Sequence, residues 1–236
     1  MSKQKGTVYL MPLPIGPDSG KHFETEYFKE KLKEITVWVA ENARTLRRYI
    51  SALKLEIDIN SLEIFELDHR TPHAELEEFL DEFASAMAIG VCSEAGIPCV
   101  ADPGNRVVSW AHRRNKTVEP LLGPNSLLMA LAGSGLNGQQ FIFHGYPPIK
   151  DDALRSWVAD LNAGVYRKFT HLFIETPFRS DKTFNALCKW LPENAKLCVA
   201  ADLHSENQSI KTFTINQWRK SPETFGKIPV VFVVGN

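Results

Sequence analysis

Apolar residues recur along the chain in two patterns that alternate with each other. In short runs such as Ile35–Ala40 and Met87–Cys92 nearly every residue is apolar, which is typical of strands buried on both faces of a sheet. Between such runs lie amphipathic stretches such as Pro72–Ala86, in which Leu76 and Leu80 recur at helical spacing. Strands that alternate with helices in this way predict an α/β protein with a parallel sheet covered on both faces.

The alternation of predicted strands and helices changes near Gly123-Pro124, which divides the chain into two halves. In the first half it predicts strands at Thr7–Met11, Ile35–Ala40, Leu62–Leu67, Met87–Cys92 and Thr117–Leu122. It predicts helices there at Glu24–Lys33, Arg44–Leu53, Pro72–Ala86 and Asn105–Arg114. In the second half it predicts helices at Asn125–Ala132, Asp151–Leu161 and Arg179–Trp190, and strands at Gln140–His144, Thr170–Ile174, Lys196–Ala201, Ser209–Thr214 and Val230–Val234. Because strands follow one another near the end, we expect a mixed second sheet, and two α/β domains at 1–121 and 122–236.

Charge and cysteine usage narrow the class of protein. The formal net charge is -1 and the pI about 6.7, so no global basic field marks a nucleic-acid binder, although a local patch or a dimer could still meet RNA. The four cysteines form no CxxC pair, which predicts reduced thiols and a cytoplasmic location. Met1–Gly6 lacks the apolar core of a signal peptide, and no apolar run approaches the ~20 residues that span a bilayer.

Three loops rich in glycine and proline follow predicted strands: Pro12–Pro17, Ser93–Gly104 and Gly123–Ser126. Ligands of parallel sheets bind outside the carboxyl ends of the strands, so three such loops favour a ligand site over ordinary turns. Loops of this kind hold an adenosine-type ligand through main-chain groups. The sequence contains no GxxxxGK[ST] or GxSxG pattern, which argues against a P-loop NTPase and a serine hydrolase. Its GxGxxG pattern, Gly133–Gly138, follows a predicted helix and not a strand, which argues against a dinucleotide dehydrogenase.

Charged residues also stand at strand ends. Glu41, Glu94 and Glu175 each follow an apolar strand, where catalytic groups sit in such sheets, although each could equally stabilise the first turn of a helix. Arginines on the helix that begins near Arg44, and the cluster His112–Arg114, are either solvated helix faces or phosphate contacts. The scattered histidines do not support a metal site.

Read in order, these segments resemble the tetrapyrrole methylase superfamily, and within it the small-subunit rRNA 2'-O-ribose methyltransferase I branch. The resemblance is carried by the loop Pro12–Pro17, by Ala40–Arg44, by the central motif Ser93–Gly104, by Pro120–Asn125, by Gly133–Leu136 and by Glu175–Arg179. The most specific are the central motif, for which the branch has Ser-Asp-Ala-Gly-Thr-Pro-x-x-Ser-Asp-Pro-Gly, and the last one, for which it has Glu-Ser-Pro-His-Arg.

The resemblance implies a homodimer of two-domain subunits that bind S-adenosylmethionine in the cleft between the domains and methylate a ribose oxygen of small-subunit RNA. It places the cofactor against Ile15, Ala95, Gly96, Ile97, Val100, Asn125, Ser126 and Leu203. As candidate catalytic acids or bases it leaves Glu41, Asp102 and Glu175, with Arg44 and Arg179 available to hold the RNA substrate.

The chain departs from the branch on the acceptor side. Asn42-Ala43 replaces Asp-Thr, Glu94 replaces Asp, Leu67–Thr71 stands where the branch has His-Glu-His-Asn-Glu, and Asp202–Ser205 stands in place of Glu-Leu-Thr-Lys. Two alternatives to an rRNA enzyme therefore stay open. One is a methylase of a tetrapyrrole or another small acceptor, and the other is a cofactor-binding protein without catalysis.

Overall fold

The structure, a computed structural model, describes residues 6–17, 19–163 and 168–235. The chain divides into two compact units, Met1–Pro124 and Asn125–Asn236. The division therefore falls after Pro124, whereas the sequence placed the boundary after residue 121. The segment before Gly6, considered above for a signal peptide, lies outside the described residues.

The first unit is built on a parallel sheet. Its strands are β1 (Thr7–Leu10), β2 (Val37–Ala40), β3 (Glu63–Glu66), β4 (Ala88–Cys92) and β5 (Thr117–Pro120). They lie in the order β3-β2-β4-β1-β5, and every neighbouring pair runs parallel. The central strands β2 and β4 are buried along their whole length, which is why their sequences are apolar at successive positions.

Two pairs of helices cover opposite faces of this sheet. Its helices are α1 (Glu26–Glu34), α2 (Ala43–Leu53), α3 (His73–Glu82) and α4 (Asn105–Arg113). Helices α1 and α2 pack into one hydrophobic cluster with Trp38, while α3 and α4 pack into another with Val39. Neighbouring strands alternate between the two faces in this way, so β1 and β2 lead to one face and β4, which lies between them, leads to the other.

This arrangement fixes where a ligand site can form. Where neighbouring parallel strands lead to helices on opposite faces, a crevice opens outside their carboxyl ends. Two such crevices flank β4, one between β1 and β4 and one between β2 and β4. The loop Ser93–Gly104 follows β4 and borders both of them.

The second unit carries a mixed sheet. Its strands are β6 (Phe141–Phe143), β7 (Thr170–Glu175), β8 (Lys196–Ala201), β9 (Ser209–Thr214) and β10 (Val230–Gly235), in the order β6-β7-β10-β8-β9. Strands β6 and β7 are parallel, and the other neighbouring pairs are antiparallel. Its helices are α5 (Ser126–Ser134), α6 (Asp151–Leu161), α7 (Ser180–Trp190) and α8 (Ile215–Lys220). Phe173, Phe184 and Phe232 are fully buried in its core.

The predicted fold class is confirmed: one sheet is parallel and the other is mixed, and both are covered by helices. Every predicted strand and helix has a counterpart in the structure, with ends that differ by a few residues. The largest difference is at α3, which ends at Glu82 although the apolar pattern continued to Ala86. Helix α8 was not predicted.

Candidate active site

The loops after β1, β4 and β5 are tied together at the carboxyl edge of the first sheet. Leu13 and Gly96 form an isolated antiparallel bridge, in which the Leu13 N–H donates to the Gly96 carbonyl (3.0 Å) and the Gly96 N–H to the Leu13 carbonyl (2.9 Å). The Ile97 N–H donates to the Pro124 carbonyl at 3.1 Å. The backbone of the central motif is therefore fixed on both sides, directly over the crevice between β1 and β4.

Glycine is required where these loops meet. Gly96 has φ +73°, and a Cβ there would lie 3.2 Å from the Pro124 carbonyl oxygen and 3.3 Å from Cγ2 of Ile15. At Gly123 a Cβ would lie 2.2 Å from Cβ of Pro12. Gly123 has no room for a Cβ, and at Gly96 the left-handed backbone and the close contacts both disfavour one, so these glycines let three loops converge.

Asp102 holds the second half of the central loop. Its Oδ1 accepts the N–H groups of Cys99 (2.9 Å) and Gly104 (2.8 Å), and its Oδ2 accepts that of Val100 (3.2 Å). Cys99 and Ala101 both adopt left-handed backbone conformations, with φ of 71° and 66°. Such conformations cost of order 1 kcal/mol each for a non-glycine residue and persist where surrounding contacts determine them, often at ligand sites.

The residues predicted to hold the cofactor in this unit have a common character. Ile15 and Ile97 are half-buried, Ala95 is exposed, Gly96 is buried, and Val100 is 41% exposed. None of the five carries a charge, and all lie on loops whose backbone is held rigid. An apolar surface framed by main-chain groups fits the adenosine part of S-adenosylmethionine.

Glu41 lies at the second crevice, between β2 and β4. Its N–H donates to the Cys92 carbonyl at 3.1 Å, and its Oε2 accepts the Glu94 N–H at 3.1 Å. Burial raises the pKa of the Glu41 carboxyl, the hydrogen bond from Glu94 opposes that shift, and the neighbouring charges of Asp102 and Glu94 raise the pKa further. A carboxylate whose pKa is raised is a stronger base and is better suited to accept a proton.

Beside Glu41 lies a small cavity of about 10 Å³. Its walls come from β2, β4, Leu67, Asp102, Pro103 and Gly104. This volume corresponds to about one water molecule. The cavity and the cluster of carboxylates therefore coincide at the carboxyl ends of β2 and β4.

The segment Leu67–Thr71, which departs from the resembling branch, forms a compact turn beside this crevice. Asp68 accepts the N–H groups of Arg70 and Thr71, and these contacts and the Arg70 side chain lower its pKa to about 2.

Arg44 is exposed on the first turn of α2. Helix α2 is capped by Asn42, whose side-chain oxygen accepts the N–H groups of Arg44 and Thr45. The Asn42 amide also donates to Glu94 at 3.1 Å.

In the second unit, Glu175 and Arg179 form a buried ion pair. Arg179 Nη2 lies 3.0 Å from Oε2 of Glu175, whose side chain is fully buried. Glu175 also accepts the Thr176 N–H and, at 2.8 Å, the hydroxyl of Thr183. Arg179 donates in addition to the carbonyls of Pro147 and Pro148. Both oxygens of Glu175 are therefore engaged inside the unit.

The remaining predicted cofactor residues also lie in the second unit. Asn125 caps α5, where its side-chain oxygen accepts the Leu128 N–H at 3.1 Å, and Ser126 is the first residue of that helix. Leu203 is buried in the turn that follows β8. Sequence reasoning missed Thr183 and the Pro147-Pro148 carbonyls as partners of Glu175 and Arg179, although the Gly-x-Pro-Pro pattern after β6 marked a turn at the same sheet edge.

The described residues contain neither of two further features, a metal site and a membrane-spanning helix. Within the ranges given above, no group of histidine, cysteine, aspartate or glutamate side chains has the arrangement of a metal site. Among the same residues no helix is both long and apolar enough to cross a membrane.

Comparison with known proteins adds sequence relatives. The chain is 32% identical over 205 residues to ribosomal RNA small subunit methyltransferase I of Mycobacterium tuberculosis strain H37Rv, an alignment that covers 87% of this chain and 69% of that protein. It is 26% identical over 204 residues to the protein of the same name from Vibrio cholerae, covering 86% and 67%. No protein-family model matches the chain.

Solved structures of two methyltransferases share the fold. The methyltransferase CobJ superposes with a TM-score of 0.60 at 18% identity, covering 99% of this chain and 95% of that chain. Uroporphyrin-III-C-methyltransferase from Thermus thermophilus superposes with a TM-score of 0.57 at 17% identity, covering 98% and 94%. This chain therefore shares its fold, over nearly its whole length, with both of these solved structures.

Proposed function

Since the chain belongs to the ribosomal RNA small subunit methyltransferase I family, we propose that it methylates a ribose hydroxyl of small-subunit RNA. It is a methyltransferase of the S-adenosylmethionine-dependent kind. S-adenosylmethionine supplies a methyl group already activated by the positive charge on sulfur. The chain's own residues must then bind the donor, hold the acceptor oxygen in line at ~3–3.5 Å and take up its proton.

The observation that carries the proposal is the convergence of three fixed loops at the switch point of the parallel sheet. The backbone contacts of Leu13 with Gly96, and of Ile97 with Pro124, build an uncharged surface at Ile15, Ala95, Gly96, Ile97 and Val100. We assign the adenosine part of the donor to this surface. Asn125, Ser126 and Leu203 are assigned to the same cofactor on the strength of the resemblance.

For the proton we favour Glu41 over the other two candidate carboxylates. Its pKa is raised, and it borders a cavity of about one water molecule beside the donor loop. Both oxygens of Asp102 are occupied by backbone N–H groups, and both of Glu175 by side-chain and backbone donors. Asp102 and Glu175 therefore act in this scheme by positioning the central loop and Arg179.

The two arginines have different surroundings. Arg44 is exposed on the first turn of α2, which begins two residues after Glu41, and can meet a phosphate directly. Arg179 is bound to Glu175 and to two carbonyls, so its contribution to substrate binding is to hold the loop after β6 in place.

Two measurements test the proposed function. Calorimetry with S-adenosylmethionine and with its demethylated product tests donor binding, and the absence of heat with both would remove the basis for the assignment. Methyl-group labelling of small-subunit RNA from cells with and without the protein tests the acceptor. Labelling of a tetrapyrrole or another small acceptor in place of RNA would favour the alternative methylase, and donor binding without any transfer would favour a protein that has lost catalysis.

We further propose that the protein acts as a homodimer in the cytoplasm. Both statements rest on the resemblance to the family. Sedimentation equilibrium over a range of protein concentrations tests the first, and fractionation of cells tests the second.

A further inference from the structure

Phe178 is an exposed aromatic residue at a position where the resembling branch carries histidine. Its side chain is 80% exposed, and Lys227 Nζ lies 5.6 Å from the centre of its ring. A single exposed phenylalanine is ordinary on a protein surface. A ring with a cation beside it, however, forms a surface that is both aromatic and positively charged.

Other apolar side chains flank it at the same edge of the second sheet. Strands β6 and β7 are parallel, so the loops that follow them leave the sheet at one edge. The loop after β6 carries Tyr146, which is 55% exposed, and Ile149, which is 71% exposed. The loop after β7 carries Phe178. The start of β10 pairs with the end of β7, which brings the segment containing Lys227 to this edge as well.

The buried ion pair described above locks these loops together. Arg179 follows Phe178 directly and donates to the carbonyls of Pro147 and Pro148, which lie between Tyr146 and Ile149 in the chain. Arg179 is itself held by the buried Glu175, and Glu175 by Thr183. The Phe178 surface, defined as Tyr146, Ile149, Phe178 and Lys227, is thus presented by a fixed support.

We propose that the Phe178 surface stacks an unpaired base of the RNA substrate on the Phe178 ring, with Lys227 beside the adjoining phosphate. Proteins read unpaired RNA by stacking bases on exposed aromatic rings, with cations next to the backbone. The proposal rests on the proposed function, because it takes the acceptor to be RNA. It adds a contact for the substrate that lies outside the groups assigned to methyl transfer.

The charge of the surface favours RNA over a second copy of this chain. Lys227 lies beside the ring. The exposed Lys150 also follows Ile149, but Asp151 and Asp152 come directly after it, so Lys227 is the cation on which the proposal rests. The core of a self-association interface is depleted of lysine, because burial of an unpaired ammonium group is costly. A phosphate backbone, in contrast, supplies the opposite charge at this place.

The chain offers matched variants for a test. Phe178→Leu keeps an apolar side chain and removes the ring, while Phe178→Trp restores a stacking face. Lys189 lies 5.8 Å from the ring centre of Trp190 on another part of the same unit, so Lys189→Gln is a control for loss of a lysine beside an aromatic ring. Because Phe178 is exposed, we expect all of these proteins to melt at the temperature of the unmodified one.

The first measurement is steady-state methylation of small-subunit RNA. For Phe178→Leu we expect KM for RNA to rise about tenfold, within the range of one lost stacking contact, with kcat and KM for S-adenosylmethionine unchanged. Phe178→Trp should restore KM, and Lys189→Gln should leave it unchanged. An unaltered KM in Phe178→Leu would overturn the proposal.

The second measurement is fluorescence anisotropy with labelled single-stranded oligoadenylate and with an RNA duplex of the same length. Phe178→Leu should weaken binding of the single strand about tenfold and leave duplex binding unchanged. If the unmodified protein methylates no RNA but this loss persists, the proposed function fails and the stacking surface stands. Equal loss with both probes, or a change in sedimentation mass in Phe178→Leu, would overturn the surface as a site for a base.

Discussion

At the scale of single residues, Glu41 is the side chain on which the proposed chemistry depends most. As the proton acceptor it must be ionised, and burial together with the charges of Asp102 and Glu94 raises its pKa above 4.5. The rate of methyl transfer should therefore increase with pH through a limb that lies above that value. Glu41→Gln should lower kcat about 10²- to 10⁴-fold, the usual contribution of a general base, and should abolish this limb. Single-turnover rates across pH measure both effects.

Three comparisons isolate the role of Glu41. Glu63→Gln alters an exposed glutamate on β3 of the same sheet and should leave the rate and its pH profile unchanged. Asp102→Asn and Glu175→Gln should act chiefly on thermal stability and on KM, since both carboxylates are engaged within the protein. If Glu41→Gln kept full turnover while either of these lost it, the base would have to be assigned to that other residue.

Gly96 makes a second prediction at this scale. Its left-handed backbone strains any other residue, and a Cβ would lie unusually close to Ile15 and Pro124. Gly96→Ala should lower the free energy of unfolding by about 1–2 kcal/mol through backbone strain alone, and should weaken S-adenosylmethionine binding by displacing the loop. Chemical denaturation and calorimetry measure these effects. Gly138→Ala is the control, because nothing lies within 4 Å of a Cβ there; equal donor affinity in the two variants would count against the assigned cofactor surface.

At the scale of elements, the sequence predicted the strands and helices well because their apolar periodicity is strong. Helix α8 was not predicted because its six residues are too few to show an apolar periodicity. Its only sequence signal was the capping box formed by Thr214 and Gln217. The sequence also placed Glu175 at a strand end and Asp102 in the loop after a strand, without revealing their partners. The contacts of Asp102 depend on left-handed conformations at Cys99 and Ala101, and those of Glu175 on Thr183, a residue of α7 that lies eight positions further along the chain.

The parallel pair β6 and β7 gives a prediction for pH. His144 directly follows β6 and His171 lies in β7, with His144 Nε2 2.8 Å from His171 Nδ1. Burial, and then the charge of His171, lower the pKa of His144 below 6.5. The unfolded chain therefore binds a proton at a higher pH than the folded chain does. The stability that neutral His144 contributes is fully present above pH 6.5. It is lost as the pH falls from there toward the pKa that His144 has in the folded chain.

Thermal melting between neutral and mildly acidic pH measures this loss. His144→Phe removes the group whose pKa is lowered and keeps a ring against Trp157, so its melting temperature should fall less steeply with pH. His69→Gln alters an exposed histidine of the first unit and should keep the slope of the unmodified protein. Identical slopes in all three proteins would show that the histidine pair is not the source of the acid sensitivity.

At the scale of the whole molecule, charge is the property that bears on RNA binding. The sequence holds 27 basic and 28 acidic side chains, and a formal net charge of -1 provides no long-range attraction for a polyanion. Affinity for RNA must then come from a few local contacts, such as Arg44 in the first unit and Lys227 in the second.

Each phosphate contact to a single strand contributes about -0.7 to the slope of log K against log salt concentration. We therefore expect a shallow slope, equivalent to only a few phosphates. Titration of single-stranded RNA at several salt concentrations measures it. Lys227→Gln should make the slope shallower by about 0.7, the share of one phosphate, whereas Lys189→Gln should leave it unchanged. A steep slope that survived the loss of Lys227 would mean that the RNA binds to a basic surface other than the one argued from Phe178.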